Sequence, residues 1–276
     1  MVPTLILSIH RINYGYYSVI IYVAINVDIF ELLPTKMIYI QRLRSLIFTD
    51  VHVGVEFAFA EQGSFIPPIQ YRKIKTSIIE TIKSKKPKRI IILGDLKHTF
   101  QRKTLQEHQE VIDLLEMLSS LGKELILVRG NHDTFIRGIL QSYGVEVLDY
   151  LQLGGILFIH GHKKAPDELA SESRFIVMGH IHPTVTISDG ISRYKFPCFL
   201  IEERIVILPA LTPLLPGLDI VSKLMSLPEY ESPIIQNIEN FKVYIVVDEK
   251  RVFDMGTIKA LRSIFLHGYS DIAQLS

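Results

Sequence analysis

Five short apolar segments that end in polar residues, most of them beside a glycine, constrain the fold more than any other feature of the chain. Each segment is rich in Ile, Leu and Val, the composition of strands that are buried on both faces. The segments are RSLIFTD (44–50), RIIILGD (89–95), ELILVRGN (124–131), GILFIHGH (155–162) and RFIVMGH (174–180). Two further runs, RIVILPA (204–210) and VYIVVD (243–248), also have the character of strands. The chain is therefore expected to contain at least one largely buried β-sheet.

Helical patterns occupy the intervals between several of these strands. Residues 66–86 and 104–121 predict two long helices, and residues 134–143 predict a shorter one. The second long helix begins with Thr104 and Glu107, which have the spacing of a capping box. Strands that alternate with helices predict an α/β fold in which β-sheets are flanked by helices.

The length and composition favour one folded domain. A chain of 276 residues with 48% hydrophobic and 21% charged residues can bury a sizeable core and is not a disordered chain. We see no linker after Met37 and expect residues 37–276 to form a single domain. Residues 1–36 are interpreted as an N-terminal extension or as extra strands. The apolar run at 15–27 is shorter than the roughly 20 residues of a membrane-spanning helix.

Charge and cysteine content exclude several classes of protein. The formal net charge of +1 provides no overall basic field for nucleic acid and no acidic field for a cationic partner, although it leaves room for a local basic patch. Cys198 is the one cysteine, so no disulfide can form within the chain. This usage suits a reducing compartment, and we expect a cytoplasmic protein without a membrane partner.

The residues that follow the five strands have side chains that bind metal ions. These residues are Asp50 and His52, Asp95 and His98, Asn131, His132 and Asp133, His160 and His162, and His180 and His182. Binding sites in α/β folds form at the carboxyl ends of strands, so we expect these side chains to converge in one cleft.

The donor types indicate which metals would bind. A donor set of carboxylates, imidazoles and an amide suits a site for Mn²⁺, Fe or Zn²⁺. It does not suit a structural zinc site built from cysteine thiolates, because none is present in the set. The donors are too numerous for one tetrahedral ion, whereas two ions that share a carboxylate would use them all. Two ions about 3.5–4 Å apart can bind a bridging hydroxide and a phosphoryl oxygen together, a geometry suited to phosphoester hydrolysis. We expect two divalent ions, with Mn²⁺ first and Fe, Zn²⁺ or Ni²⁺ as alternatives.

Taken in order, the motifs D-x-H, G-D-x-x-H, G-N-H-D, a later H and G-H-x-H resemble the calcineurin-like metallophosphoesterase superfamily. Each motif alone is a weak signal, but five in this order after predicted strands are a strong one, and they cover about residues 45–185. The segments DVHVGVE (50–56), GDLKH (94–98) and LPALTPLLPG (208–217) are most similar to the archaeal SbcD-related phosphoesterases.

The resemblance implies a layered metallophosphoesterase-type fold with the metal site at the carboxyl ends of the strands. It also implies seven metal ligands. They are Asp50, His52 and His182 for one ion, Asn131, His160 and His180 for the other, and Asp95 as the ligand shared by both.

Three further residues receive roles in catalysis. The resemblance makes His132 an imidazole that binds no metal, contacts the phosphate and protonates the leaving oxygen, with Asp133 orienting it. A leaving alkoxide needs a proton, which an imidazole can supply near neutral pH. For His98 two readings stay open, contact with the substrate or a place in the supporting turn. His162 is expected at the rim of the site or behind the ligands.

The expected function is hydrolysis of phosphodiester bonds by a DNA-repair-type nuclease. Arg102, Lys103, Lys163 and Lys164 follow motif strands and could contact phosphates of such a substrate. The alternatives are a small-molecule phosphatase or cyclic-nucleotide phosphodiesterase, and a non-catalytic binding scaffold. The partners are then a phosphoester substrate, with DNA among the candidates, and a second copy of the chain if it forms a homodimer.

Overall fold

Two β-sheets pack face to face, with helices on their outer faces. The structure is a computed structural model, and it describes residues 24–264 apart from positions 65, 68, 100–104, 189–190, 223–230 and 236. Residues 1–23, which include most of the apolar run at 15–27, lie outside the described residues, as do Arg102 and Lys103. This arrangement confirms the expected α/β class with sheets flanked by helices.

The first sheet has seven strands whose order in space follows the order in the chain. They are β1 (Ile25–Val27), β2 (Phe30–Leu32), β3 (Ile38–Ile40), β4 (Ser45–Phe48), β5 (Arg89–Ile92), β6 (Glu124–Val128) and β7 (Val145–Leu148). Strands β1 to β4 pair antiparallel, and β4 to β7 pair parallel. The three parallel strands β4, β5 and β6 are three of the predicted ones, and their carboxyl ends point to the same edge.

The second sheet contains nine strands. They are β8 (Leu151–Leu153), β9 (Ile156–Phe158), β10 (Phe175–Met178), β11 (Pro183–Ser188), β12 (Arg193–Glu202), β13 (Ile205–Ile207), β14 (Leu218–Asp219), β15 (Lys242–Val247) and β16 (Arg251–Thr257). The order is β14-β11-β12-β13-β10-β9-β8, and β15 pairs with both β12 and β16. Strand β10 lies parallel to β9 and β13, so the predicted polar residues after β9 and β10 share one edge.

Five helices are defined between the strands. They are α1 (Val55–Glu61), α2 (Gln70–Lys85), α3 (Leu105–Ser120), α4 (Arg137–Ser142) and α5 (Asp167–Glu172), and residues 258–264 are also helical. The three predicted helices are therefore confirmed with shorter bounds, and α1 and α5 were not predicted. The expected capping box cannot be followed in the structure, because Thr104 lies outside the described residues. The carboxylate of Glu107 accepts hydrogen bonds from the amide and hydroxyl of Thr99 at 2.9 and 2.6 Å.

The strands alternate between two apolar layers. Ile47 of β4 and Ile91 of β5 face the second sheet and pack with its Phe158 and Val177. Their neighbours along each strand face the opposite way, into a layer with helices α2, α3 and α4. The second sheet has its own outer layer, which includes Leu169 of α5. Both faces of the central strands are covered, so these strands are expected to have continuous apolar sequences.

The hairpin formed by β1 and β2 belongs to this packing. Phe30 is 1% exposed, and its ring meets the ring of Phe175 on the second sheet edge to face, with centroids 5.1 Å apart. Ile25 and Leu32 lie in the same layer between the sheets. Part of the segment interpreted as an extension or extra strands therefore contributes strands and core residues to the first sheet.

Within residues 24–264, gaps aside, no helix joins the length and the apolar character that crossing a bilayer requires. Cys198 is fully buried in β12, as a packed apolar residue would be. Cytoplasmic location stays a prediction.

Replacement of Phe30 by alanine should lower the free energy of unfolding by about 3–5 kcal/mol, because a large buried side chain would be lost from between the sheets. Urea denaturation of both proteins measures the difference. Tyr194→Ala is the control, since Tyr194 is 52% exposed, and should change stability by less than about 0.5 kcal/mol. A similarly small effect at Phe30 would show that the hairpin is not part of the folded core.

Candidate metal centre

The strand ends of the two sheets meet at one edge of the molecule. Asp50 follows β4, and its Oδ2 accepts a hydrogen bond from the backbone amide of His180, which follows β10, at 3.0 Å. Nδ1 of His160, after β9, lies 2.7 Å from the carbonyl oxygen of Leu93 at the end of β5. These contacts join the sheets at the predicted polar residues. The structure thus brings the seven predicted ligands into one cluster.

Glycines at the strand ends allow the loops to approach so closely. A Cβ atom at Gly94 would lie 2.7 Å from the Cα of Gly130, and one at Gly179 would lie 2.7 Å from Oδ2 of Asp50. Real Cβ atoms essentially never make such contacts. The glycines of the motifs are therefore required by backbone packing, whereas the polar residues beside them supply the chemistry.

Five of the predicted ligands adopt left-handed backbone conformation. Their φ angles are 53° at Asp50, 47° at His52, 49° at Asp95, 72° at His180 and 44° at His182. This conformation costs an L-residue roughly 1–2 kcal/mol, and Asp, Asn and His are enriched among the residues that adopt it. A left-handed residue turns the chain sharply where a strand ends, which directs its side chain into the cluster.

Asp133 holds two of the loops together. Its carboxylate accepts hydrogen bonds from the backbone amides of Gly130, Asp95 and Leu96, each at 2.9 Å. Burial and the neighbouring carboxylate of Asp95 raise the pKa of Asp133 to about 6, against the opposing effect of the amides. These contacts differ from the expected role of orienting His132, because both oxygens of Asp133 bind backbone amides.

Asp50, His52 and His182 form the first group of donors. One ligand atom from each lies within 4.8 Å of the others. Nε2 of His182 is 3.1 Å from Oδ1 of Asp50 and 3.4 Å from Nε2 of His52. Oδ1 of Asp50 is buried and accepts no hydrogen bond, although Nε2 of His182 is near. All three residues are almost completely buried.

The second group surrounds His160. Its Nε2 lies 3.0 Å from Oδ1 of Asn131 and 3.3 Å from Oδ2 of Asp95. Because Nδ1 faces the carbonyl oxygen of Leu93, which only accepts hydrogen bonds, Nδ1 carries a proton and Nε2 is the nitrogen available to a metal. Burial opposes charge on this ring, but the carboxylates of Asp95 and Asp50 outweigh it and raise the pKa of His160 to about 10.

His180 lies beside the second group. Its ring centroid is 5.1 Å from that of His160, and its Nε2 lies 3.1 Å from the carbonyl oxygen of Glu231. The segment at Glu231 therefore reaches the edge of the cluster, and Ser232 donates a 2.6 Å hydrogen bond to the carbonyl of Gly161. Nothing in the sequence around Glu231 indicated this contact.

Asp95 faces both groups. Its Oδ2 lies 3.7 Å from Nε2 of His52 and 3.3 Å from Nε2 of His160. Its Oδ1 accepts a 2.9 Å hydrogen bond from the amide of His132. Burial favours the neutral acid, but the facing imidazoles of His160 and His52 hold the pKa of Asp95 well below its ordinary value. One oxygen of this carboxylate is thus close to donors from both sheets.

His132 and His98 lie together above Asp95. Nδ1 of His132 contacts the carbonyl oxygen of His98, and Nε2 lies 3.8 Å from Oδ2 of Asp95. The two rings stack with centroids 5.6 Å apart, and Nδ1 of His98 is 3.4 Å from Nδ1 of His52. Burial lowers the pKa of His132. Burial and the neighbouring imidazole of His132 together lower the pKa of His98 to about 4. His98 therefore lies within the cluster and not at a distance from it.

His162 occupies a neighbouring position. Its ring centroid is 5.2 Å from that of His160, and it lines a cavity next to Asn131. Lys163 follows it and pairs with Asp149 at 3.2 Å. His162 thus lies at the rim of the cluster.

The residues present fit divalent cations. The donor set of carboxylates, imidazoles and an amide oxygen suits ions such as Mn²⁺, Fe and Zn²⁺. The buried Oδ1 of Asp50 has no hydrogen-bond donor, and a bound cation would satisfy this oxygen in place of a donor. The elevated pKa of His160 shows that two buried carboxylates favour positive charge at this place.

Comparison with known proteins agrees with this geometry. Residues 43–205 match the family model described as calcineurin-like phosphoesterase. A nuclease from Pseudomonas putida, MPE, has a TM-score of 0.61 at 21% sequence identity, over 85% of this chain and 100% of the nuclease chain. Yfce, a phosphoesterase from E. coli, has a TM-score of 0.38 at 16% identity, over 77% of this chain and 98% of that chain. No curated protein matches the chain.

At this level of identity the nuclease shows a shared fold and nothing beyond it. The family model, in contrast, spans more than half of the chain and includes all five motifs. The superfamily predicted from the order of the motifs is therefore confirmed, and the chain belongs to the calcineurin-like phosphoesterase family of metal-dependent hydrolases.

Proposed function

We propose that this phosphoesterase hydrolyses phosphodiester bonds of DNA at a centre of two divalent metal ions, with Mn²⁺ as the first candidate and Fe, Zn²⁺ or Ni²⁺ as alternatives. The observation that carries the proposal is the position of Asp95, whose Oδ2 lies within 3.7 Å of imidazole nitrogens from both sheets. A carboxylate in this position suits a ligand shared by two ions.

The chain would hold the ions with the two donor groups described above. The ions would be held by Asp50, His52 and His182 on one side, by Asn131, His160 and His180 on the other, and by Asp95 between them. Bound metal ions supply positive charge for the phosphoryl oxygens and make water a stronger nucleophile near neutral pH. Because Nε2 of His180 faces the carbonyl oxygen of Glu231, which only accepts hydrogen bonds, Nδ1 would be the nitrogen of this ring available to an ion.

His132 would deliver the proton that the leaving oxygen needs. Its Nδ1 contacts a carbonyl oxygen, which only accepts hydrogen bonds, so Nδ1 keeps its proton. Nε2 is therefore the nitrogen that takes up a second proton and passes it on. Burial lowers the pKa of His132, so the charged ring gives up that proton readily.

We place DNA ahead of a small phosphate ester by analogy with a protein of the same fold that is a nuclease, at a TM-score of 0.61. His98 lies within the histidine cluster, where it can contact a substrate of either kind as well as support the turn. A panel of nitrophenyl monoester, nitrophenyl diester, cyclic nucleotide and DNA, assayed with Mn²⁺, tests this preference. Faster turnover of the monoester or the cyclic nucleotide would favour the small-molecule alternatives.

We also propose a relationship to the archaeal SbcD-related phosphoesterases. The segment at 208–217 that carries this resemblance lies against the metal centre, since the amide of Leu211 donates to the carbonyl of Thr49 at 3.1 Å. Gly217 packs closely against His182. A Cβ atom at position 217 would lie 3.1 Å from the Cβ of His182. The segment thus supports two ligand loops. Lack of any DNA cleavage in the substrate panel would count against the relationship.

Asp95→Ala should remove both ions, because the residue would be the ligand they share. Metal analysis of the dialysed protein by mass spectrometry measures the stoichiometry per chain. Asp113→Ala is the matched control, since Asp113 pairs with Lys75 at 2.6 Å on the surface of α3, and should leave the metal content unchanged. Two ions retained by Asp95→Ala would rule out the shared-ligand role.

His132→Asn should retain the metals and the fold while kcat falls about 10²–10⁴-fold, the usual cost of losing a positioned general acid. The loss should be smaller for a nitrophenolate leaving group, which departs without a proton, than for the alkoxide released from DNA. Rates on a nitrophenyl diester and on an oligonucleotide compare the two.

His108→Asn provides the control, because His108 lies on α3 outside the cluster and should tolerate the change. If His132→Asn loses metal, or if both leaving groups suffer equally, His132 is a ligand or a substrate clamp. The proton donor would then have to be sought at His98.

A further inference from the structure

We propose that the cavity beside Asn131 binds an unpaired nucleotide of the substrate, with its base stacked on Phe135 and its phosphate near Arg137. This inference rests on the proposed cleavage of DNA and names the form of DNA that fits, a single strand or a frayed end. The cavity is about 420 Å³, within the range of sites that take small ligands.

The cavity opens directly from the metal centre. Gly130, Asn131 and His162 all line it. Because Asn131 lies 3.0 Å from Nε2 of His160, a group in the cavity is next to the proposed position of the scissile phosphate. A nucleotide adjoining the cleaved bond is the part of the substrate that would reach this place.

Phe135 is an apolar residue that is exposed, and its backbone is strained. Its side chain is 75% exposed, and its backbone has a φ angle of 61°, which is unusual for a bulky residue. The neighbouring Ile136 is 4% exposed and Leu140 is fully buried, so the ring projects from an anchored segment. Core packing does not account for an aromatic ring held outward in this way, whereas stacking on a base does.

The charges around the cavity suit a phosphate. Arg129 and Lys163 both contact Oδ1 of Asp149, at 3.1 Å from Nε of Arg129 and 3.2 Å from Nζ of Lys163, so two cations share one carboxylate. Arg137 lines the cavity and is exposed. The carboxylate of Asp133, also in the wall, already accepts three backbone amides. Positive charge is therefore in excess at the mouth, as contacts to a nucleic-acid backbone require.

The stacking interaction selects for unpaired DNA. Both faces of a base within a duplex are covered by its neighbours, so a ring such as Phe135 can meet only a base that has left the stack. Phe135 therefore favours single strands, overhangs and frayed ends over blunt duplex.

Binding measured without cleavage tests the subsite apart from the chemistry. The full chain, kept in a chelator, is titrated into a single-stranded oligonucleotide that carries 2-aminopurine, whose fluorescence is quenched by stacking. Phe135→Ala should weaken binding about 5- to 150-fold, the usual loss when a stacking aromatic is removed, and should abolish the quenching. Phe135→Tyr should retain both, and Arg137→Gln should weaken binding but keep the quenching.

Phe253→Ala is the matched control, because Phe253 is also exposed and also lies beside an arginine, Arg251, but on β16. Phe135→Asn guards against misfolding, since asparagine tolerates the left-handed backbone; it should match the wild-type Tm and lose the affinity. Wild-type affinity in Phe135→Ala would overturn the proposal, and so would an equal loss of binding to single-stranded and blunt duplex DNA.

Cleavage by the wild-type protein separates this inference from the proposed function. Methyl nitrophenyl phosphate, a diester without a base, reports on the metal centre alone. Phe135→Ala should lower the ratio of the rate on single-stranded DNA to the rate on this ester. Hydrolysis of the ester with no cleavage of any DNA would overturn the nuclease assignment, while the binding titration would still decide whether Phe135 stacks on a base.

Discussion

The geometry of the metal centre depends on one buried carboxylate that is not among the predicted ligands. Asp133 accepts three backbone amides, which come from the loop after β5 and the loop after β6. A carboxylate buried without such donors would be costly, so the two loops are held in the one arrangement that satisfies it. Asp95 and Asn131, on these loops, thereby both lie close to Nε2 of His160. The contact between sheets, from His160 to Leu93, then places the second sheet relative to this pair.

Much of the fold could be predicted from the sequence, because the central strands are buried on both faces and therefore appear as unbroken apolar runs. The two short helices α1 and α5 could not be predicted. Helix α1 has seven residues and depends on a tertiary contact, since Glu56 accepts a 2.6 Å hydrogen bond from the amide of Gln70. Leu105, the first residue of α3, is 83% exposed, and the apolar core residues of this helix begin at Val111.

The candidate site was predictable in its residues but not in its contacts. Residue types and their order after strands were sufficient to collect the predicted ligands, since parallel strands deliver their carboxyl ends to one edge. The support of His132 by the carbonyl of His98, and the approach of Glu231 to His180, depend on how loops pack against each other. Spacing within a motif carries no information on such contacts. For the same reason the sequence does not indicate that Phe135 is exposed. In the sequence it is an ordinary aromatic residue that follows a motif.

The left-handed backbone at five of the predicted ligands links metal chemistry to mutational tolerance. Asp, Asn and His both bind metals and adopt this conformation at moderate cost, so backbone and metal select the same residue types. Alanine at Asp50 or His182 would remove a donor and keep the backbone strain, and a β-branched residue would increase it. Glycine alone would remove the donor and release the strain together. Glycine at Asp50 or His182 would therefore give an inactive protein of the same shape without metal, and this protein would be more stable than the alanine variant.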